Sequence, residues 1–397
     1  MRKIAATYIF TGNQPPIKNG ILTCSPDGKI LEISGNNKKI TEQPGLEFYS
    51  GILVPGLVNT HCHLELSHLK GKIEEKTGIG GFIGQINVLR NQENENVEKA
   101  IQFADRKMWA AGTAAVGDIS NSTLTLETKK NSKIFYHTFI ESFGFHPSRA
   151  ERAFDYAQFV QFQFKEKGLS NCIVPHSPYS VSKPLFEKIK ENAIIKNSIL
   201  TIHNQESESE SEFFTNGTGA IANHLQNNLG IDISHWETTG KSSLISILQY
   251  LPKENQLLLV HNTFTKKEDL EELKRMRSIE NTFFVLCPNS NLYIENQLPP
   301  VSLFRNENLN ICLGTDSLAS NHELSVLAEM ITLQVNFPEI KLEELIRWAS
   351  LNGAKALQIE DNFGSFDVGK KPGVNLISGI DFKSMKLTVH SKVKRLI

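Results

Sequence analysis

Three of the chain's twelve histidines fall within ten positions, in NTHCHLELSH at 59–68, directly after the apolar run GILVPGLV. On an extended strand, residues two apart face the same side. His61 and His63 therefore share one face and Cys62 takes the other. Two imidazoles on one face can share a divalent metal ion. An H-x-H pair alone fits two structural or exposed histidines equally well. Two further donors change the balance: His203 in HNQE and Asp316 in LGTDSLAS complete a nitrogen and oxygen set. A metal lowers the pKa of water it holds to about 7, and a second group must then move a proton. Glu206, three residues after His203, is placed for that role, although it also opens the acidic run ESESESE at 206–212. Asp316 suits a ligand that doubles as general base, and equally an N-cap for the segment behind it. His261 in VHNTF could hydrogen-bond the activated water, act as a fifth ligand or sit as a satisfied core histidine. His176 in PHSPYS reads as a substrate contact, as do Glu65 and Ser317, with Ser67 and His68 as weaker candidates beside them. No lysine accompanies His176, so a single metal is expected. Zinc is the expected ion, and iron suits the same donors.

These residues must be positioned by elements with a recognisable rhythm. Apolar runs at 56–65, 112–120, 133–142, 171–180, 198–207, 256–264, 282–291 and 309–320 each end in polar residues. Segments with helical spacing, such as KPLFEKIKENAI at 183–194, lie between them. Eight such alternations predict an α/β fold, a parallel (β/α)8 TIM-type barrel. Active sites of such barrels lie at the C-terminal ends of the strands. His61, His63, His176, His203, His261 and Asp316 all fall there. Residues 1–52 and 361–397 read as short strands, with SPDGK as a hairpin turn. They predict a small β-sandwich domain built from both chain ends around a barrel spanning 53–360. Glycines in KTGIGGFIGQINVLRN at 76–91 suggest a mobile capping loop, with Arg90 and Trp109 packing rather than binding. NQENENVEKA at 91–100 and the acidic run read as loop or helix entry.

The bulk numbers narrow the partners. A formal net charge of −1 gives no electrostatic case for nucleic acid or an anionic membrane, so a small-molecule substrate is expected. Five cysteines are scattered with no C-x-x-C pair, which fits a reducing cytoplasm; Cys172, Cys287 and Cys312 sit in apolar runs and read as core. The opening MRKIAATYIFTGNQPP has too short an apolar run for a signal peptide. No stretch is long enough for a transmembrane helix. A homodimer is the default for a soluble oligomer.

GLVNTHCHLE, HNQE, VHNTF, CPNSN and LGTDSLASN, in this order, resemble the amidohydrolase superfamily, and within it the purine and pyrimidine deaminase branch. HCHLELSH looks most like the aminofutalosine deaminases, and S-adenosylhomocysteine deaminases are similar. The resemblance covers nearly the whole chain. It implies His61, His63, His203 and Asp316 as ligands, Glu206 as proton shuttle and His261 beside the water. KKPGVNLI departs from the family pattern, which has an alanine–aspartate pair there. The expected reaction is hydrolytic deamination of an aminated purine-type ring, aminofutalosine or a related adenosine derivative. Cleavage of a cyclic or acyl amide uses the same attack and is the alternative. A barrel kept only for binding has little need of a full ligand set and shuttle.

Overall fold

The computed structural model describes residues 1–35, 40, 41, 43–90 and 96–397. The Arg90 side chain and residues 91–95, for which packing and loop roles were expected, lie outside the described residues. Strands β1 (Arg2–Ile9), β2 (Ile17–Lys18), β3 (Ile21–Cys24), β4 (Ile30–Ser34) and β5 (Leu46–Pro55) open the chain. Then come β6 (Leu57–Cys62), β7 (Thr113–Ser120), β8 (Phe135–Ser142) and β9 (Ser170–Pro175). They are followed by β10 (Leu200–Asn204), β11 (Leu257–His261), β12 (Thr282–Leu286) and β13 (Asn310–Leu313). β14 (Val374–Ser378) and β15 (Lys392–Arg395) close the chain.

Each of the eight apolar runs coincides with one of β6 to β13, β9 beginning one residue before its run. They form two four-stranded parallel sheets, β6-β7-β8-β9 and β10-β11-β12-β13. Their sequences are apolar on both faces, as in LLLV of β11 and FFVL of β12, and every residue of these two strands is buried. Backbone bonds also run from sheet to sheet. The His203 N–H donates to His176 O at 3.0 Å, and the Thr315 and Asp316 N–H groups donate to His61 O at 2.9 and 3.1 Å.

The strands of both chain ends share a third, mixed sheet ordered β15-β14-β5-β1-β3-β4, with β2 on β1. It has its own core of Ile4, Ile9, Leu22, Ile30, Leu53, Phe366 and Val374. The predicted SPDGK turn joins β3 to β4, with Gly28 at φ +82°. Gly56 carries the chain from this sheet into β6, and a Cβ there would lie 2.2 Å from Pro372 O.

Six helices pack around the first of the parallel sheets and the cavity above the strand ends: α1 (Gly78–Arg90), α2 (Val97–Ala110), α3 (Leu126–Asn131), α4 (Ala150–Glu166), α5 (Lys183–Lys196) and α6 (Glu208–Asn216). The segment at 76–91 is thus largely a helix, which corrects its reading as a glycine-rich loop. α4 buries Phe154, Ala157, Val160 and Phe164 at helical spacing. α5 has a proline in its first turn and ends on Asn197 at φ 47°, the left-handed residue that stops a helix. The acidic run is helix entry: Ser207 caps α6 by accepting the Glu210 N–H. Trp109 packs as expected, with the Arg395 guanidinium 3.5 Å from its ring centre.

Candidate active site

β6 delivers His61, and the residue just past its end, His63, reaches the same place. Cys62 between them points into the apolar layer with Ile101, Ala104 and Met108 of α2. β10 delivers His203, β11 delivers His261, and the turn after β13 delivers Asp316. His63 Nε2 and His203 Nε2 are 3.1 Å apart. Asp316 Oδ1 is 3.7 Å from His61 Nε2 and 3.6 Å from His63 Nε2. The other Asp316 oxygen accepts from Ser290 Oγ at 2.7 Å and Ser320 Oγ at 2.6 Å, which fixes the carboxylate plane. His203 Nδ1 is held by His176 O at 2.8 Å, so its Nε2 is the lone-pair nitrogen facing the cluster. Both ring nitrogens of His61 are buried with no hydrogen-bond partner. Unsatisfied imidazoles gathered around one carboxylate fit a divalent ion with nitrogen and oxygen ligands. His61, His63, His203 and Asp316 are the residues that could hold it. Gln205, His261, Asn262 and Asp316 all have positive φ, between 46° and 72°. Such backbone strain in non-glycine residues collects at functional sites.

His261 and Glu206 flank this cluster. Asn291 Nδ2 meets His261 Nδ1 at 3.3 Å, and donation there leaves the imidazole proton on Nε2, which is 3.5 Å from Glu206 Oε1. Glu206 is buried, although it begins an acidic run. Burial, then the charges of Asp316, Glu210 and Glu295, push its carboxyl well above the usual range, which favours its protonated form. Asp316 goes the other way. Burial pushes it up too, but the imidazoles of His61, His63 and His261 around it hold it well below the usual range. Environments that push two neighbouring carboxyl groups in opposite directions suit an acid and base pair. Burial also lowers His63 and His261 well below 6.5, and His203 to about 4, so all three imidazoles are neutral and able to ligate or donate.

The cluster lies at the floor of a cavity of about 250 Å³. Glu65, His176 and Ser317 all line it, as expected of substrate contacts, whereas Ser67 and His68 bond the backbone of their own turn. Ile79, Phe82, Ile83 and Ile86 of α1 form one apolar wall, facing Ile221 and Leu225. Glu141, at the end of β8, also lines the cavity, 3.4 Å from His203 Nδ1 and 3.9 Å from His176 Nε2. Sequence reasoning passed over it. The signal was available: FIES carries a carboxylate one residue before its end, where other runs carry site residues.

Residues 52–394 match the Amidohydrolase family. The chain belongs to that family. A protein named adenosine deaminase from Helicobacter pylori is 30% identical over 362 residues, covering 88% of this chain and 85% of the relative. Among solved structures, Helicobacter pylori aminofutalosine deaminase in complex with methylthio-coformycin matches with a TM-score of 0.81 at 24% identity, over 100% of both chains. An adenosine deaminase from Xanthomonas campestris with bound zinc matches with a TM-score of 0.73 at 20% identity, over 98% of this chain and 86% of that one. The fold of this amidohydrolase is therefore the TIM-type α/β fold of its relatives. Its strand-end histidines and Asp316 occupy the end of the strands where such folds do chemistry.

Proposed function

We propose that this amidohydrolase is a metal-dependent deaminase that replaces the amino group of an adenosine derivative with oxygen, releasing ammonia. Its substrates are aminofutalosine-type or other adenine nucleosides. The observation that carries the reading is the gathering of His61, His63, His203 and Asp316 into one buried N/O donor cluster at the floor of the cavity, with His261 and the buried Glu206 carboxyl beside it. The names of its relatives, adenosine deaminase and aminofutalosine deaminase, agree.

We assign one divalent ion, zinc, to His61, His63, His203 and Asp316. Zinc in the Xanthomonas relative supports the choice of metal. When bound, the ion supplies Lewis-acid activation of water at neutral pH. The protein's own groups do the rest. Asp316 takes one proton from the attacking water as its oxygen adds to the amine-bearing ring carbon. Glu206 gives its proton to the adjacent ring nitrogen, which makes that carbon more electrophilic. His261, with its proton on Nε2, orients the water. As the carbon–nitrogen bond breaks, the Asp316 proton passes to the amine, which leaves as ammonia. The hydroxyl proton returns to Glu206 as the carbonyl forms, and both carboxyl groups regain their starting states. Glu65, His176 and Ser317 hold the nucleoside.

The architecture assigned to this chemistry has three parts. The two four-stranded sheets close into one barrel of residues 53–360, supported by the β9–β10 and β13–β6 backbone bonds. Residues 1–52 and 361–397 form the small β-sandwich domain, supported by the separate core of the terminal sheet. We place the protein in the cytoplasm, in keeping with its five unpaired, buried cysteines, as a homodimer with no nucleic-acid partner. No helix among the described residues is long and apolar enough to cross a membrane.

The test is ammonia release by zinc-loaded protein from adenosine, 5′-deoxyadenosine, methylthioadenosine and aminofutalosine, with cyclic and acyl amides as controls. Ammonia from at least one nucleoside, with the amides untouched, is expected. Turnover of the amides alone would overturn the assignment.

A further inference from the structure

α4 carries a row of large side chains that face water. Tyr156, Phe159 and Phe162 are 54%, 57% and 55% exposed, although the opposite face of the same helix is fully buried. At three-residue spacing they form one outward stripe. The exposed end of α5 widens it: Lys196 Nζ of that helix reaches Gln161 Oε1 at 2.7 Å, next to Phe162, and Ile194 and Ile195 beside Lys196 are 54% and 82% exposed. A contiguous apolar patch of this kind marks a protein contact.

The pattern around Phe159 says which protein. Arg152 and Glu166 lie seven residues to either side, a spacing of about two helical turns, so both share the face of Phe159. Both are exposed, and neither has an ion-pair partner among the described residues. Asp155 and Gln163 lie four residues to either side, and Tyr156 and Phe162 three. The face is therefore self-complementary under a two-fold axis through Phe159. We infer that two copies of this chain pair through antiparallel α4 helices. Phe159 meets Phe159 of the other copy, Tyr156 meets Phe162, and Arg152 meets Glu166 twice. A two-fold interface needs this match of a patch with itself. Aromatic residues bury about 150–250 Å² each. Three from each copy, with the α5 isoleucines at the rim, supply the apolar centre of an interface of roughly 800 Å² per partner.

The stripe lies on the outer flank of the helix layer, and none of its residues lines the catalytic cavity, so assembly and turnover can be read separately. Light scattering of the purified, metal-loaded chain is expected to give twice the chain mass. Phe159→Glu should halve that mass with ammonia release and circular dichroism unchanged. Arg152→Glu alone and Glu166→Arg alone should each weaken the dimer, and the two together should restore it. A wild-type chain that stays monomeric as concentration rises overturns the inference and leaves the stripe to another partner. A dimer that survives Phe159→Glu, or a double exchange that fails to recover what the single exchanges lose, overturns it as well.

Discussion

The shuttle role proposed for Glu206 asks for a raised carboxyl pKa, which its burial favours, and for a backbone held in place. The second task falls to Glu210, a fully buried carboxyl whose two oxygens accept the N–H groups of Gln205 and Glu206 at 3.0 and 3.2 Å. Gln205 is left-handed and its side chain donates to Asp269 at 2.8 Å, so the whole turn is pinned. Glu206→Gln is expected to lower kcat by about 10²–10⁴ with zinc content and folding intact, since it removes a positioned proton donor; full turnover by that variant would refute the shuttle. Glu210→Leu should reduce kcat more than it raises KM, and Glu210→Gln, which keeps one acceptor oxygen, should recover part of the loss. Equal losses of kcat, zinc and melting temperature in both variants would mean that Glu210 is merely structural. The meeting of His61, His63, His203, Glu206 and Asp316 was legible because each sits at a fixed offset from an apolar run. Glu210, Ser290 and Ser320 were not, because their partners are set by how strand ends meet, which local spacing does not encode.

At the scale of elements, the helix Val326–Asn336 places Glu329 out of all contact with water. Its oxygens accept from the Asn289 N–H and from Asn321 Nδ2, both at 2.8 Å, and burial pushes its carboxyl up to about 8. A folded-state pKa above the ordinary 4.5 means that the folded protein holds the proton where the unfolded chain has released it. That contribution is complete below about pH 4.5 and is lost as pH rises through about 8. Between pH 5 and 8.5, denaturant titrations of Glu329→Gln, whose amide mimics the neutral acid, should show a flatter decline in stability than wild type. The difference should reach about a few kcal/mol at the alkaline end. Parallel curves would show that Glu329 stays ionised or titrates normally. α1 shows the limit of reading elements from sequence. Ile79, Phe82, Ile83 and Ile86 have helical spacing, but Gly80, Gly81 and Gly84 disguise it as a loop. Gly80 is there for close approach, since a Cβ would lie 2.8 Å from that of Ala220. Nothing near Gly80 in sequence announces a partner 140 positions away.

At the scale of the molecule, the rhythm of apolar runs made all eight parallel strands legible, and the sharing of one sheet by both chain ends followed from their strand-like composition. The pairing order of the strands carried a consequence that the rhythm did not. His61 belongs to and His63 directly follows the sheet β6-β7-β8-β9, whereas His203 belongs to and Asp316 follows the sheet β10-β11-β12-β13. The donor set therefore straddles the two sheets, two residues from each. An ion held there ties one half of the strands to the other, and a ligand that binds only the folded chain raises its stability by mass action. Removing it also leaves buried imidazoles and Asp316 facing one another without compensation. Stripping the protein with a chelator is expected to abolish ammonia release and to lower the melting temperature, and added zinc should restore both. His203→Ala should do the same to both quantities and resist rescue by zinc. Loss of activity with an unchanged melting temperature would place the ion at the surface of the cluster rather than between the sheets.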